Sequence, residues 1–175
     1  MARIKKLVLF AAILIGGFGL DWVTKYAAQK CLMHKPVLSF FRGSIQLAYA
    51  ENSGAFLSLG AHWPNGLSFW IFSIIPLLFL AGITVYALLK LDTTNYLKLV
   101  AIAMVVSGGY GNILERIVHH RLVTDFMMFG IGSFRLTGVL NIADLFITFG
   151  CIVLILACSS KPANAANPAE TKEDK

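Results

Sequence analysis

Charge is what this chain has least of. Of its 175 residues only 14% are Asp, Glu, Lys or Arg, while 57% are hydrophobic; soluble domains carry about 25% charged and roughly 45–50% apolar residues. A water-soluble chain this short could not hide so much apolar surface, because small domains keep a large surface-to-volume ratio. Lipid is therefore the expected solvent. Cysteine is scarce as well. Cys31, Cys151 and Cys158 form an odd set without metal-type spacing, and two of them share one apolar segment, where a thiol packs as a small hydrophobe. They imply no disulfide framework. There is no Gly-rich phosphate loop, no Ser-His-Asp candidate and no internal repeat. His34, His62, His119 and His120 offer no zinc spacing and read as solvated interface residues. The net charge of +6 comes without a basic stripe or interleaved aromatics. That argues against nucleic acid and for membrane topology and anionic headgroups.

What the chain has is four apolar segments of spanning length, about Leu7–Ala28, Leu67–Leu89, Leu97–Ile117 and Val139–Cys158, each near the ~20 residues that cross a hydrocarbon core. No small-x-small cleavage site closes the first run, which goes straight into Asp21-Trp-Val-Thr-Lys25. A retained membrane helix is expected there rather than a removed leader. Pro76 sits inside the second segment, where neighbouring helices can satisfy the carbonyl it frees. The first connection contains Val37–Tyr49, which mixes β-branched and aromatic residues around Arg42-Gly-Ser44 and predicts a hairpin against the membrane surface. The third connection suggests two short extended pieces around a turn at Gly130-Ile-Gly132. Residues 1–158 read as one domain and 159–175, rich in Ala, Asn, Pro and charge, as a disordered tail. Arg3, Lys5 and Lys6 favour a cytoplasmic N-terminus, although over whole loops the basic asymmetry is slight.

Alternation of four spans places the end of the first, the end of the third and the start of the fourth on one side. The unusual polar residues lie there: Asp21 and Lys25, Asn52, Asn112 with Glu115 and Arg116, Asp125, and Asn141 with Asp144. Carboxylates at membrane depth need a partner or a proton and usually mark function. Asp21 and Lys25, four apart on one helical face, suit a structural ion pair. Arg116 reads equally as a snorkelling anchor or as a group fixing a carboxylate. Ser107, Gly108, Gly109 and Gly111 are small enough for helices to approach closely. Asp125, at a membrane-dipping loop, and Asp144, in the first turns of the last span, are different. Two such carboxyls brought together do not both ionise cheaply, which leaves an acid and a base at one site. Asn141 either caps the last helix or donates to a carboxylate. A carboxylate-dyad enzyme and a proton- or cation-coupled transporter would use the same residues.

Five pieces in order, Asp21-Trp-Val-Thr-Lys25, Asn52-Ser-Gly-Ala-Phe56, Gly108-Gly-Tyr-Gly-Asn-Ile-Leu-Glu-Arg116, Val123-Thr-Asp-Phe126 and Asn141-Ile-Ala-Asp144, resemble the bacterial lipoprotein signal peptidase (signal peptidase II) family. The resemblance covers the chain to about Cys158. It implies an all-α, four-span inner-membrane protein with a small extracytoplasmic β cradle. It also implies an aspartic peptidase with Asp125 and Asp144 as the catalytic pair, supported by Asp21, Lys25, Asn52, Gly54, Asn112, Arg116, Asn141 and Ala143. The implied substrate is a prolipoprotein cut just before its diacylglyceryl cysteine. No metal or organic cofactor and no nucleic acid is expected, membrane lipids are the surroundings, and a monomer is expected. Departures from the family pattern are Glu115 where Asp is usual, His120 where Gly often stands, Phe56 with Leu57, and Leu140 in place of Phe.

Overall fold

A segment entering hydrocarbon must satisfy its own N–H and C=O groups, and a helix does so within a single run of chain. The computed structural model describes residues 1–54, 63–131 and 134–159; among these, four helices are long and apolar enough to cross a membrane. In chain order the elements are α1 (Ala2–Leu32), β1 (Leu38–Phe40), a 3-10 turn (Phe41–Gly43), β2 (Ile45–Asn52), α2 (Asn65–Phe69), a π-helical turn (Trp70–Ile74), α3 (Ile75–Leu89), α4 (Tyr96–Val118), β3 (Val123–Ile131), β4 (Phe134–Arg135) and α5 (Ile142–Ser159). From α2 through α3 the chain runs on as one span, Gly66–Leu89. Phe56, Leu57, His62, Gly132 of the expected turn, and the tail from residue 160 lie outside the described residues.

Helix α4 is the central post. Over its most apolar stretch 56% of the residues are buried, against 17% in each of the other three spans, which turn most of their surface to lipid. Its small residues explain how three neighbours fit around it. A Cβ added at Gly108 would strike the Ala143 carbonyl of α5, one at Gly109 the Leu80 side chain of α3, and one at Gly111 the Asp21 carboxylate of α1. Ser107 adds a hydrogen bond across to the Leu14 carbonyl of α1 at 3.0 Å. The π-helical turn lies directly ahead of Pro76, with the Ile75 N–H bonded to the Trp70 carbonyl. Such widened turns absorb a local fault in the helical ladder, and a proline supplies one by lacking an N–H.

The two long connections meet in one antiparallel sheet of order β1-β2-β3-β4. The hairpin expected around Arg42–Ser44 is present, with Leu38 opposite Leu47 and Phe40 opposite Ile45. Its partner is unexpected. β3 is a single strand of 9 residues, paired to β2 so that Ala50 faces Asp125 and Asn52 faces Val123. Asp125 therefore stands on a strand rather than on a dipping loop. Beneath the sheet, Ala28 and Leu32 of α1 pack on Phe126 and Met127 of β3. That contact carries α1 one turn past its expected end.

On the opposite side of the bundle Lys6 departs from its expected role as a surface topology signal. It is buried, and its ammonium donates to the carbonyls of Leu91 at 2.9 Å, Asp92 at 3.2 Å and Thr94 at 2.7 Å. Three donors meet three backbone acceptors in the connection between α3 and α4. Inward of it Phe10, Ala87, Leu91, Leu99 and Ala103 form an apolar plug.

Candidate active site

The last span starts at Ile142, three residues later than its hydropathy suggests, because Asn141 and Asp144 make a reciprocal cap. The Asp144 N–H donates to Asn141 Oδ1 at 2.9 Å, and the Asn141 N–H donates to Asp144 Oδ2 at 3.1 Å. This is the capping-box geometry that an Asn-x-x-Asp spacing permits. A third orphan donor of the same helix end, the Ala143 N–H, is taken by Asp21 Oδ1 from α1 at 2.8 Å. The cap and the site are one structure, for the amide of the capping Asn141 also donates to Asp125 Oδ1 at 2.6 Å.

Asp125 and Asp144 both line a cavity of about 360 Å³, with Asn52, Asn112, Arg116 and Asn141 on the polar side. Phe72, Pro76, Phe79, Leu80 and Ile147 form an apolar side. The other four expected site residues, Asp21, Lys25, Gly54 and Ala143, stand behind this wall. Hydrogen bonds and the Asp21–Lys25 ion pair link all ten into one network. Asn112 Nδ2 donates to Asp144 Oδ1 at 2.9 Å, and Asn52 Nδ2 donates to Asp125 Oδ2 at 3.1 Å. Gly54 donates its N–H to Asn52 Oδ1 at 3.0 Å and accepts from Arg116 Nη2 at 2.6 Å.

The orientation of each asparagine follows from donor counting. An ammonium and a backbone N–H can only donate, so each must meet an amide oxygen. Lys25 pins Asn112 Oδ1 at 2.8 Å, the Gly54 N–H pins Asn52 Oδ1, and the Asp144 N–H pins Asn141 Oδ1. The NH2 group of each is left aimed at a carboxyl. Both carboxyls are thereby held by neutral donors, which orient them without a formal positive charge that would force them to ionise.

Lys25, a buried cation behind this arrangement, is itself neutralised. Lys25 Nζ lies 2.8 Å from Asp21 Oδ2 and 2.8 Å from Glu115 Oε2, so its third donor alone reaches Asn112. The pair expected of Asp21 and Lys25 is thus a triad that includes Glu115. Burial, and after it the Asp144 charge, push the Asp125 carboxyl from its ordinary 3.8 up to about 7, against the lowering effect of Asn52, Asn141 and Lys25. Folded Asp125 keeps its proton where the unfolded chain has lost it. Folding then takes up a proton, and stability falls as pH rises from 3.8 towards about 7.

The chain is similar to known proteins in sequence and in fold. The family model for signal peptidase (SPase) II matches residues 13–159. The chain belongs to the signal peptidase II family. A lipoprotein signal peptidase of Hydrogenovibrio crunogenus is 37% identical over 142 residues, covering 79% of this chain and 77% of the relative. One of Caldicellulosiruptor bescii is 33% identical over 147 residues, covering 84% and 88%. A bacterial membrane enzyme solved by the in meso method at 2.3 Å shares the fold, with a TM-score of 0.70 at 24% identity over 98% of this chain and 94% of that one. Membership in signal peptidase II makes the chain a protease, and its four apolar helices make it a multi-pass membrane protein.

Two further residues take part: Glu115, which the sequence places in the polar layer without a role, and Thr124, which it does not single out. Glu115 is tied to the site on both carboxylate oxygens, and Thr124 offers its carbonyl to Asn141 Nδ2 at 3.3 Å. Glu115 did carry a signal: a charged residue next to Arg116, near a helix end at membrane depth, has to find a partner.

Proposed function

We propose that this protein is a membrane aspartic endopeptidase that removes signal peptides from diacylglyceryl-modified prolipoproteins, cutting just before the lipidated cysteine. The observation that carries this reading is the pair Asp125 and Asp144, from β3 and α5, bonded to the same Asn141 and lining the same cavity. With one proton between them, the ionised carboxylate takes a proton from water while the protonated partner donates to the scissile carbonyl. The water oxygen bonds to the carbonyl carbon; as the C–N bond breaks, the proton just taken passes to the leaving nitrogen and the proton given to the carbonyl oxygen returns to the partner carboxylate. One water is consumed and the pair returns to its starting state. Arg116, whose Nε is buried without a hydrogen-bond partner among the described residues, would hold an incoming peptide carbonyl beside the pair.

The apolar side of the cavity, Phe72, Phe79, Leu80 and Ile147, suits acyl chains that stay in the bilayer while the peptide bond reaches the polar side. We place the protein in the bacterial inner membrane as a monomer, with both termini cytoplasmic and the site near the extracytoplasmic face. Residues 1–158 form the peptidase domain, and the tail is a cytoplasmic appendage. The transporter alternative needs a polar route through the bundle, and the plug around Phe10 and Leu99 argues against one.

The experiment offers the purified protein one precursor in two forms, with and without diacylglycerol on the cysteine. Cleavage of the lipidated form alone is expected, read as a gel shift. Equal cleavage of both forms would remove lipid recognition from the account, and cleavage of neither would remove the peptidase.

A further inference from the structure

Glu115 is buried, yet no step of the reaction above uses it. Its Oε1 accepts the backbone N–H of Thr124 at 3.0 Å, and its Oε2 lies 2.8 Å from Lys25 Nζ. Thr124 directly precedes Asp125, and its carbonyl accepts from Asn141. β2 pairs with one edge of β3 here, with Glu51 opposite Thr124. Both backbone polar groups of Thr124 are thus held by side chains, one from α4 and one from the start of α5.

We propose that Glu115 is a positioning residue that couples the Lys25 hub to the strand bearing Asp125, and so fixes where that carboxyl stands. The proposal rests on the peptidase reading of the site. A carboxylate is required chemically, because both of its partners only donate. A glutamine offers one acceptor and one donor, so one of the two contacts becomes donor against donor. The charge matters separately. Asp125 is faced by Asp144 from α5, Lys25 from α1 and Arg116 and Glu115 from α4, with exposed Glu51 on β2; His119 Nδ1 lies 3.8 Å from Glu115 Oε1. Removing the Glu115 charge leaves Lys25 half-neutralised, which favours ionisation of the carboxyls.

The test measures kcat and KM per folded molecule across pH for wild type, Glu115→Gln, Glu115→Asp and Asp125→Asn, on one lipidated precursor. Glu115→Gln is expected to lower kcat about ten- to a hundredfold, the scale of a roughly 1 Å misplacement, with KM nearly unchanged. Its alkaline limb should move to lower pH. Glu115→Asp keeps the charge but shortens the reach, so kcat drops while the limb stays. A purely structural residue would change the yield of folded protein and leave the limb in place. Wild-type kcat and limb in Glu115→Gln, beside an inactive Asp125→Asn, would overturn the positioning role alone. Activity in Asp125→Asn would instead overturn the peptidase reading. If Glu115→Gln does not fold, Glu115→Asp decides: lowered kcat at an unmoved limb supports the role, and wild-type kcat overturns it.

Discussion

Asp125→Asn and Asp144→Asn should each lower cleavage of a lipidated precursor by roughly a hundred- to ten-thousandfold, the range that a positioned acid or base contributes. An amide can neither take the water's proton nor transfer a proton to the scissile carbonyl. Both changes also disturb orientation in the same way. Each carboxyl accepts two N–H donors, Asp125 from Asn52 and Asn141, Asp144 from Asn112 and the Asn141 backbone. An asparagine serves one of the two and opposes the other. The cost is about one hydrogen bond, roughly 0.5–1.5 kcal/mol, so the variants stay folded and still bind precursor. Groups acting as a unit lose most of their effect when either is removed. The double variant should therefore be hardly slower than either single one. A single variant with full activity would contradict the mechanism, and a multiplicative double would contradict the shared site.

Lys25→Met should be the most destabilising single change. It leaves Asp21 and Glu115 buried without their counter-charge, and breaking a buried pair by removing one partner costs about 3–5 kcal/mol. Asn112 Oδ1 also loses one of its two donors, leaving Asn141 Nδ2 at 3.0 Å as the group that keeps its NH2 turned toward Asp144. Thermal unfolding in detergent should show a large drop in midpoint, and the protein that remains folded should cleave slowly. An unchanged midpoint would mean that Asp21 and Glu115 are already neutral without the ammonium.

The sequence made some of this legible because the contacts are local. Spacing of four residues joins Asp21 to Lys25, and spacing of three joins Asn141 to Asp144 through the helix cap. Alternation of four spans gathers the polar residues on one side without any knowledge of packing. The rest depends on pairings between distant parts of the chain. Asn52 meets Asp125 across 73 positions only because two separate connections form one sheet in a particular register. Neither strand's pattern names its partner. In sequence Lys6 carries only a topology signal, because its three carbonyl acceptors lie 85 to 88 residues away. Helix ends slipped for the same reason: hydropathy gives the length in lipid, while the cap at Asn141 and the packing of Leu32 under the sheet set where the turns stop.

The central claim is that neutral amides hold two carboxyls which share a single proton. The dependence of kcat/KM on pH, measured on one lipidated precursor, tests it most directly. The prediction is a bell: activity falls at low pH when both groups are protonated, and falls again as pH rises through about 7, where Asp125 loses its proton. A rate that stays level well above that point would mean that no carboxylic acid takes part, and would contradict the account.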